Sequence, residues 1–376
     1  MTGLSLRSNG EKSNFRLETI LVRSRGKLQH QVIHLFVHKP YRMRAVVLGG
    51  GAWGTALAIQ CVRAGIQDVC LWARDPEVVE AINTEHENTR YFKGHALPHC
   101  IRATTDKQGA ITSSSGTVLI LLVVPTPAIA AVVADLKLGP EHILVSCTKG
   151  ILNDTLETPD KILERVTHGF ARVAFLSGPS FAAEVADNQP TGVTIASKDE
   201  EVARVVQTAI SSERFRSYTT RDVIGVEMGG ALKNVLAIAC GISDGLGFGS
   251  NPRAMLITRG LAEMSLLSVR SGAEPITLAG LAGVGDLILT CTSTLSRNYT
   301  VGFRLGRGET LEHIIGSLGA VAEGVNTSKS AHELAAKLGV ETPVITGIYQ
   351  VIHEGAKPLE VLRANMKRPL RQEALY

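Results

Sequence analysis

Lys233 and Asn234 stand side by side in the run Ala231-Leu232-Lys233-Asn234-Val235-Leu236-Ala237-Ile238-Ala239-Cys240, which is otherwise apolar. A helix that is hydrophobic all round is buried. Burial disfavours the charged amine and lowers its pKa, so Lys233 is suited to give or take a proton near neutral pH. The plainer alternative is a lysine that snorkels to a domain surface. Asp286 sits among glycines and aliphatics in residues 280–287, where a lone carboxylate is costly, and Lys233 is its natural partner. Arg297 and Asn298, directly after Ser296, offer a fork of donors suited to a phosphate. A capping aspartate and a surface arginine are the bland readings of these two positions.

A second cluster lies far upstream. The apolar run 44–48 leads into Gly49-Gly50-Gly51-Ala52-Trp53-Gly54 and then a helical pattern from Thr55. In that setting Gly49 permits a tight turn, Gly51 lets the backbone approach a pyrophosphate, and Gly54 allows close helix–strand packing. The helix N-terminus offers free N–H groups and a positive dipole end to the phosphates. The next strand ends Ala73-Arg74-Asp75-Pro76. Arg74 there favours the 2′-phosphate of NADP without excluding NAD, and Asp75 before Pro76 predicts a helix N-cap. Lys149 closes a further strand, at the end where ligands gather in such sheets, and Ser177-Gly178-Pro179-Ser180 forms a similar strand-end turn.

The elements that must position these groups fall into two textures. Residues 44–48, 68–72, 118–124, 143–147 and 172–176 are continuous Val-, Ile- and Leu-rich runs between helical stretches, with 191–196 as a further candidate strand. Such runs predict a parallel sheet covered on both faces, hence a doubly wound Rossmann domain over 43–221. From 222 to 365 long helical patterns and frequent glycine predict an all-helical domain, followed by a tail, 366–376.

The 376 residues carry 44% hydrophobic and 20% charged side chains with a net charge of +4. That is an ordinary globular composition. It gives nucleic-acid binding little support while leaving small anionic ligands compatible. The six cysteines are scattered without a Cys-x-x-Cys, so reduced core thiols are expected rather than disulfides or a zinc site, and no metal is called for. Residues 1–42 are basic and poor in acid. They read as a dispensable extension, with a transit peptide or regulatory tail as the alternative. No apolar stretch there is long enough for a secretory signal or a membrane span.

Taken in order, Gly49–Leu57, residues 88–94, Cys147–Gly150, Ser177–Ala182, 226–245, Gly285–Leu287, Ser296–Asn298 and Val321–Gly324 resemble NAD(P)-dependent sn-glycerol-3-phosphate dehydrogenase of the bacterial type. The resemblance spans about 44–353 and leaves 1–42 outside. It implies reversible reduction of dihydroxyacetone phosphate to sn-glycerol 3-phosphate, supplying glycerophospholipid synthesis. It also implies a helical second domain of the 6-phosphogluconate dehydrogenase-like type and a homodimer, while the reduced thiols point to the cytoplasm, with an organelle as the alternative if 1–42 are a transit peptide. By the same resemblance Lys233 is the proton donor/acceptor, and Lys149 touches both cofactor and substrate. Gly178, Ser180, Asp286, Thr290, Ser296, Arg297 and Asn298 are substrate-side positions. Ala52, Trp53, Arg74, Ala182, Arg297, Val321 and Glu323 are cofactor positions. A sister 2- or 3-hydroxyacid reductase of the same fold, and a non-catalytic nucleotide-binding regulator, are the competing readings.

Overall fold

The apolar runs pair into one eight-stranded sheet. In the computed structural model its strands are β1 (Met43–Leu48), β2 (Asp68–Trp72), β3 (Ile101–Thr104), β4 (Thr117–Leu122), β5 (His142–Ser146), β6 (Val173–Ser177), β7 (Thr191–Ala196) and β8 (Phe215–Thr220). Their spatial order is β8-β7-β6-β5-β4-β1-β2-β3. The run from β3 to β6 is parallel, which is the strand order of the dinucleotide-binding fold. β7 pairs antiparallel with β6 and parallel with β8, so the sheet is mixed at one end. The structure describes residues 43–112, 116–170, 172–319, 321–370 and 372–373. It also gives the backbone of four short strands, Arg16–Thr19, Arg23–Ser24, Lys27–Leu28 and His34–Val37. The rest of 1–42, expected to be a dispensable extension or a transit peptide, lies outside the described residues.

Burial explains why the central strands form where they do. Ala45 to Leu48 on β1 and Val118 to Leu122 on β4 are all fully buried. Each Val, Leu or Ile so placed gains about 1.5–3 kcal/mol. The two faces of the sheet feed separate apolar clusters, one holding Val47 and Leu121 and the other Val46 and Leu122.

From Val223 onward every described element is helical. The helix Val223–Gly245 runs through the centre of this half, and nearly all its residues are buried. Asp222 caps it, accepting the Gly225 N–H at 2.9 Å with one oxygen and the Glu274 N–H at 2.9 Å with the other. By length and apolarity this helix and the stretch Pro275–Thr292 could cross a membrane, but 94% of the apolar window of the first is buried by the rest of the chain. That is the environment of a core helix. Arg297–Gly306 crosses it at backbone contact: a Cβ on Gly241 would lie 2.1 Å from Tyr299 O, and one on Gly302 2.1 Å from Ile238 O. Only glycine lets the two helices meet so closely. All six cysteines are free thiols.

Candidate active site

The glycine loop sits where the strand order reverses, between β1 and β4. Gly49 has φ +139°, and a Cβ there would lie 2.2 Å from Val123 O. Gly54 packs as tightly, since its Cβ would lie 1.9 Å from Gly49 O. Gly51 is the contrast: an added Cβ meets none of the described residues within 4 Å. The helix that follows, Ala52–Arg63, has no side-chain cap and no acidic residue in its first turn. Its first N–H groups are therefore left for an anion, and the open side of Gly51 gives one room to approach. Asn88 fixes the loop, donating to Gly50 O and to Thr55 Oγ1, both at 2.8 Å. These residues fit a dinucleotide. Ala52 and Trp53 pack against the sheet's core, and Trp53 Nε1 has no hydrogen-bond partner among the described residues.

At the end of β2, Arg74 is exposed. Asp75 accepts the Glu77 N–H at 3.0 Å as cap of the helix Pro76–Thr84, the role its place before proline predicts. Its other oxygen pairs with Arg90, a contact that no spacing in the sequence announces.

The Lys233 cluster assembles from both halves of the chain. Lys233, on the central helix, donates to Asp286 Oδ1 at 2.5 Å and to Thr290 Oγ1 at 3.0 Å. Asp286 and Thr290 belong to the helix Asp286–Thr292, which follows the π-helical turn Leu281–Gly285. From the end of β5, Lys149 reaches Asp286 Oδ2 at 2.8 Å and Gly178 O at 3.4 Å. The Lys233 and Asp286 side chains are 8% and 1% exposed, against 18% for Lys149. Burial alone would raise the Asp286 carboxyl, but the two ammonium groups outweigh it and hold it below its ordinary value. Burial brings Lys233 down to about 8, with the Asp286 charge opposing the fall and Lys149 adding to it. A buried amine poised there can act as acid or base near neutral pH.

The phosphate-side candidates stand at the start of Arg297–Gly306. Ser296 is its N-cap and accepts the Tyr299 N–H at 3.2 Å. Asn298 donates to Asn234 Oδ1 at 2.9 Å and accepts the Gly324 N–H at 2.9 Å. Its carboxamide thus ties this helix to the central one and to Glu323–Leu338. Arg297 is exposed. Burial pushes the Glu323 carboxyl up to about 7, and the Arg297 charge offsets this in part. Gly178 and Ser180 lie beside Lys149, with the Ser180 hydroxyl donating to Gly178 O at 2.9 Å. Ala182 opens the helix Ala182–Ala186, and Val321 is exposed before Glu323.

Residues 44–203 match the family NAD-dependent glycerol-3-phosphate dehydrogenase N-terminus, and residues 222–363 match its C-terminus counterpart. Glycerol-3-phosphate dehydrogenase [NAD(P)+] of Nitratidesulfovibrio vulgaris is 48% identical over 334 residues, covering 88% of this chain and 100% of that protein. The enzyme of the same name from Myxococcus xanthus is 50% identical over 319 residues, covering 83% and 93%. The crystal structure of glycerol-3-phosphate dehydrogenase from Coxiella burnetii superposes with a TM-score of 0.80 at 37% identity, covering 88% of this chain and 100% of that one. The chain belongs to the NAD-dependent glycerol-3-phosphate dehydrogenase family.

Proposed function

We propose that the protein is an NAD(P)-dependent sn-glycerol-3-phosphate dehydrogenase, reversibly reducing dihydroxyacetone phosphate to sn-glycerol 3-phosphate. The observation that carries this reading is the Lys149–Asp286–Lys233 cluster, built where strand ends from the nucleotide-binding half meet helices of the other. When bound, the nicotinamide supplies or accepts the hydride. Negative charge then develops on the ketone oxygen, where the Lys233 ammonium donates the proton and Lys149 adds positive charge. General acid help of this kind is worth roughly 10²–10⁴-fold. Asp286 and Thr290 aim Lys233 through their hydrogen bonds. Arg297 and Asn298 hold the phosphate, whose remote binding energy orients the ketone. Gly178, Ser180 and Ser296 complete the substrate side.

On the cofactor side, Gly49, Gly51, Ala52, Trp53 and Gly54 receive the pyrophosphate end. Arg74 stands at the ribose end and favours NADP, and Lys149, Ala182, Arg297, Val321 and Glu323 line the remainder. Residues 43–221 act as the nucleotide-binding domain and 222–365 as the substrate domain. The protein works as a cytoplasmic homodimer without a membrane span or nucleic-acid partner. Residues 1–42 would direct it to an organelle only if they prove to be a transit peptide, which an import assay decides.

The test is the loss of reduced-nicotinamide absorbance on adding dihydroxyacetone phosphate to the purified protein, with NADPH and NADH in parallel. Turnover supports the reading. Protein that binds nucleotide yet turns over with neither cofactor would sink it.

A further inference from the structure

A small chamber lies where the ends of β5 and β6 meet the central helix, lined in part by Ser146, Lys149, Ser177, Val226, Glu227 and Gly230. Among the described residues, three polar atoms of its lining have no hydrogen-bond partner: Ser146 Oγ, Ser177 Oγ and Glu227 Oε2. Their residues are 1%, 3% and 6% exposed. A buried polar group left unsatisfied costs about 1–3 kcal/mol. A buried water typically makes about three hydrogen bonds to such groups and removes that cost.

The rest of Glu227 is firmly held. Its Oε1 accepts the Asp160 N–H at 2.8 Å, at the start of the helix Pro159–Val166. The Asp160 carboxylate in turn takes the Thr158 hydroxyl at 2.5 Å and faces Lys161 at 4.0 Å. Burial first, and the Asp160 charge next, push the Glu227 carboxyl well above its ordinary value. That shift favours the protonated acid, which can both donate and accept.

Glu227, Gly230 and Lys233 follow one another at three-residue steps and share a face of the central helix. A Cβ on Gly230 would lie 2.8 Å from Ser177 Oγ and 3.4 Å from Lys149 Cγ, so the stem of Lys149 lies directly over the helix there. We propose that this chamber is a water-binding site in which Glu227, Ser146 and Ser177 hold a water beneath Lys149, and that Glu227 is a positioning residue for Lys149. The water bridges the two strand ends to the helix that carries Lys233 and thereby sets the spacing of the two lysines. The inference rests on the assignment of both lysines to the ketone.

The test combines a high-resolution crystal structure of the full chain with kinetics of Glu227→Gln, Glu227→Leu and Ser177→Ala. The expected density is a water within hydrogen-bond distance of Glu227 Oε2 and both serine hydroxyls. Glu227→Gln keeps a donor and an acceptor, so its kcat stays within about threefold of the parent. Glu227→Leu loses roughly 10–100-fold in kcat, the scale set by displacing a catalytic group by about 1 Å, with the KM for NADPH little changed. Should the leucine variant fail to fold, Ser177→Ala is expected to lower kcat in the same direction. A dry chamber overturns the water site. A leucine or alanine variant that loses thermal stability alone, with kcat intact, overturns the positioning role. Unchanged kcat in Lys149→Ala would overturn both that role and the lysine assignment beneath it, while leaving the water in place.

Discussion

Asp286 Oδ1 lies 2.5 Å from Lys233 Nζ, and this bond is made 1% exposed to solvent on the carboxylate side. An ion pair so deeply buried is poor evidence for stability, because desolvation offsets the attraction. Its value is positional. The second oxygen of Asp286 takes Lys149 from a strand end, so one carboxylate fixes two cations that arrive from opposite halves of the chain.

The pH dependence of turnover follows from this arrangement. Lys233 lies at about 8, lowered first by burial, raised by Asp286 and lowered again by Lys149. With the Lys233 ammonium as the proposed acid for ketone reduction, kcat in that direction should fall as pH rises through about 8. With the free amine as the proposed base, alcohol oxidation should rise through the same range. Asp286→Asn removes the charge that supports the ammonium, so the alkaline limb of the reduction profile should move to lower pH. Profiles of kcat in both directions check this. A limb that stays in place would detach it from Lys233.

Arg297→Ala should act on substrate binding. A hydrogen bond to a charged group is worth about 1.5–3 kcal/mol, so the KM for dihydroxyacetone phosphate should rise roughly 10–150-fold. Steady-state kinetics decide it, and an unchanged KM would count against a phosphate contact.

Two glycine substitutions should part company. Gly51→Ala adds a methyl where none of the described residues lies within 4 Å. Its melting temperature should therefore hold while the KM for the nicotinamide cofactor rises. Gly54→Ala drives a methyl to 1.9 Å from Gly49 O and should lose both folding stability and binding. Melting curves with and without nucleotide separate the two, and equal stability in both variants would refute the packing argument.

Arg74 and Asp75 are neighbours with different work. Arg74→Ala should lower the preference for NADPH over NADH in kcat/KM. Asp75→Ala removes a helix cap and should cost about 1 kcal/mol of stability with less effect on that ratio. A ratio unmoved in Arg74→Ala would remove the argument for NADP.

Much of this was legible in the sequence because period and chemistry coincide. Continuous apolar runs announced β1, β2, β4, β5 and β6, and the glycine spacing after β1 announced the turn. β3 and β8 escaped. Their residues alternate between buried and exposed, as edge-side strands do, so no apolar run marks them. The antiparallel entry of β7 was equally hidden, since direction depends on the connecting segment rather than on strand composition. Asp286 as partner of Lys233 could be argued from the cost of a lone buried carboxylate. The second lysine, Lys149, could not, because nothing local links a strand end to a helix so far along the chain. The Arg90–Asp75 pair and the wall formed by Ser146, Ser177 and Glu227 escaped for the same reason.

The most direct measurement of the central claim is turnover of Lys233→Met with NADPH and dihydroxyacetone phosphate, alongside nucleotide binding by the same protein. Cofactor binding should stay intact while kcat falls roughly 10²–10⁴-fold, the range for loss of a general acid. Near-normal turnover in the methionine variant would contradict it.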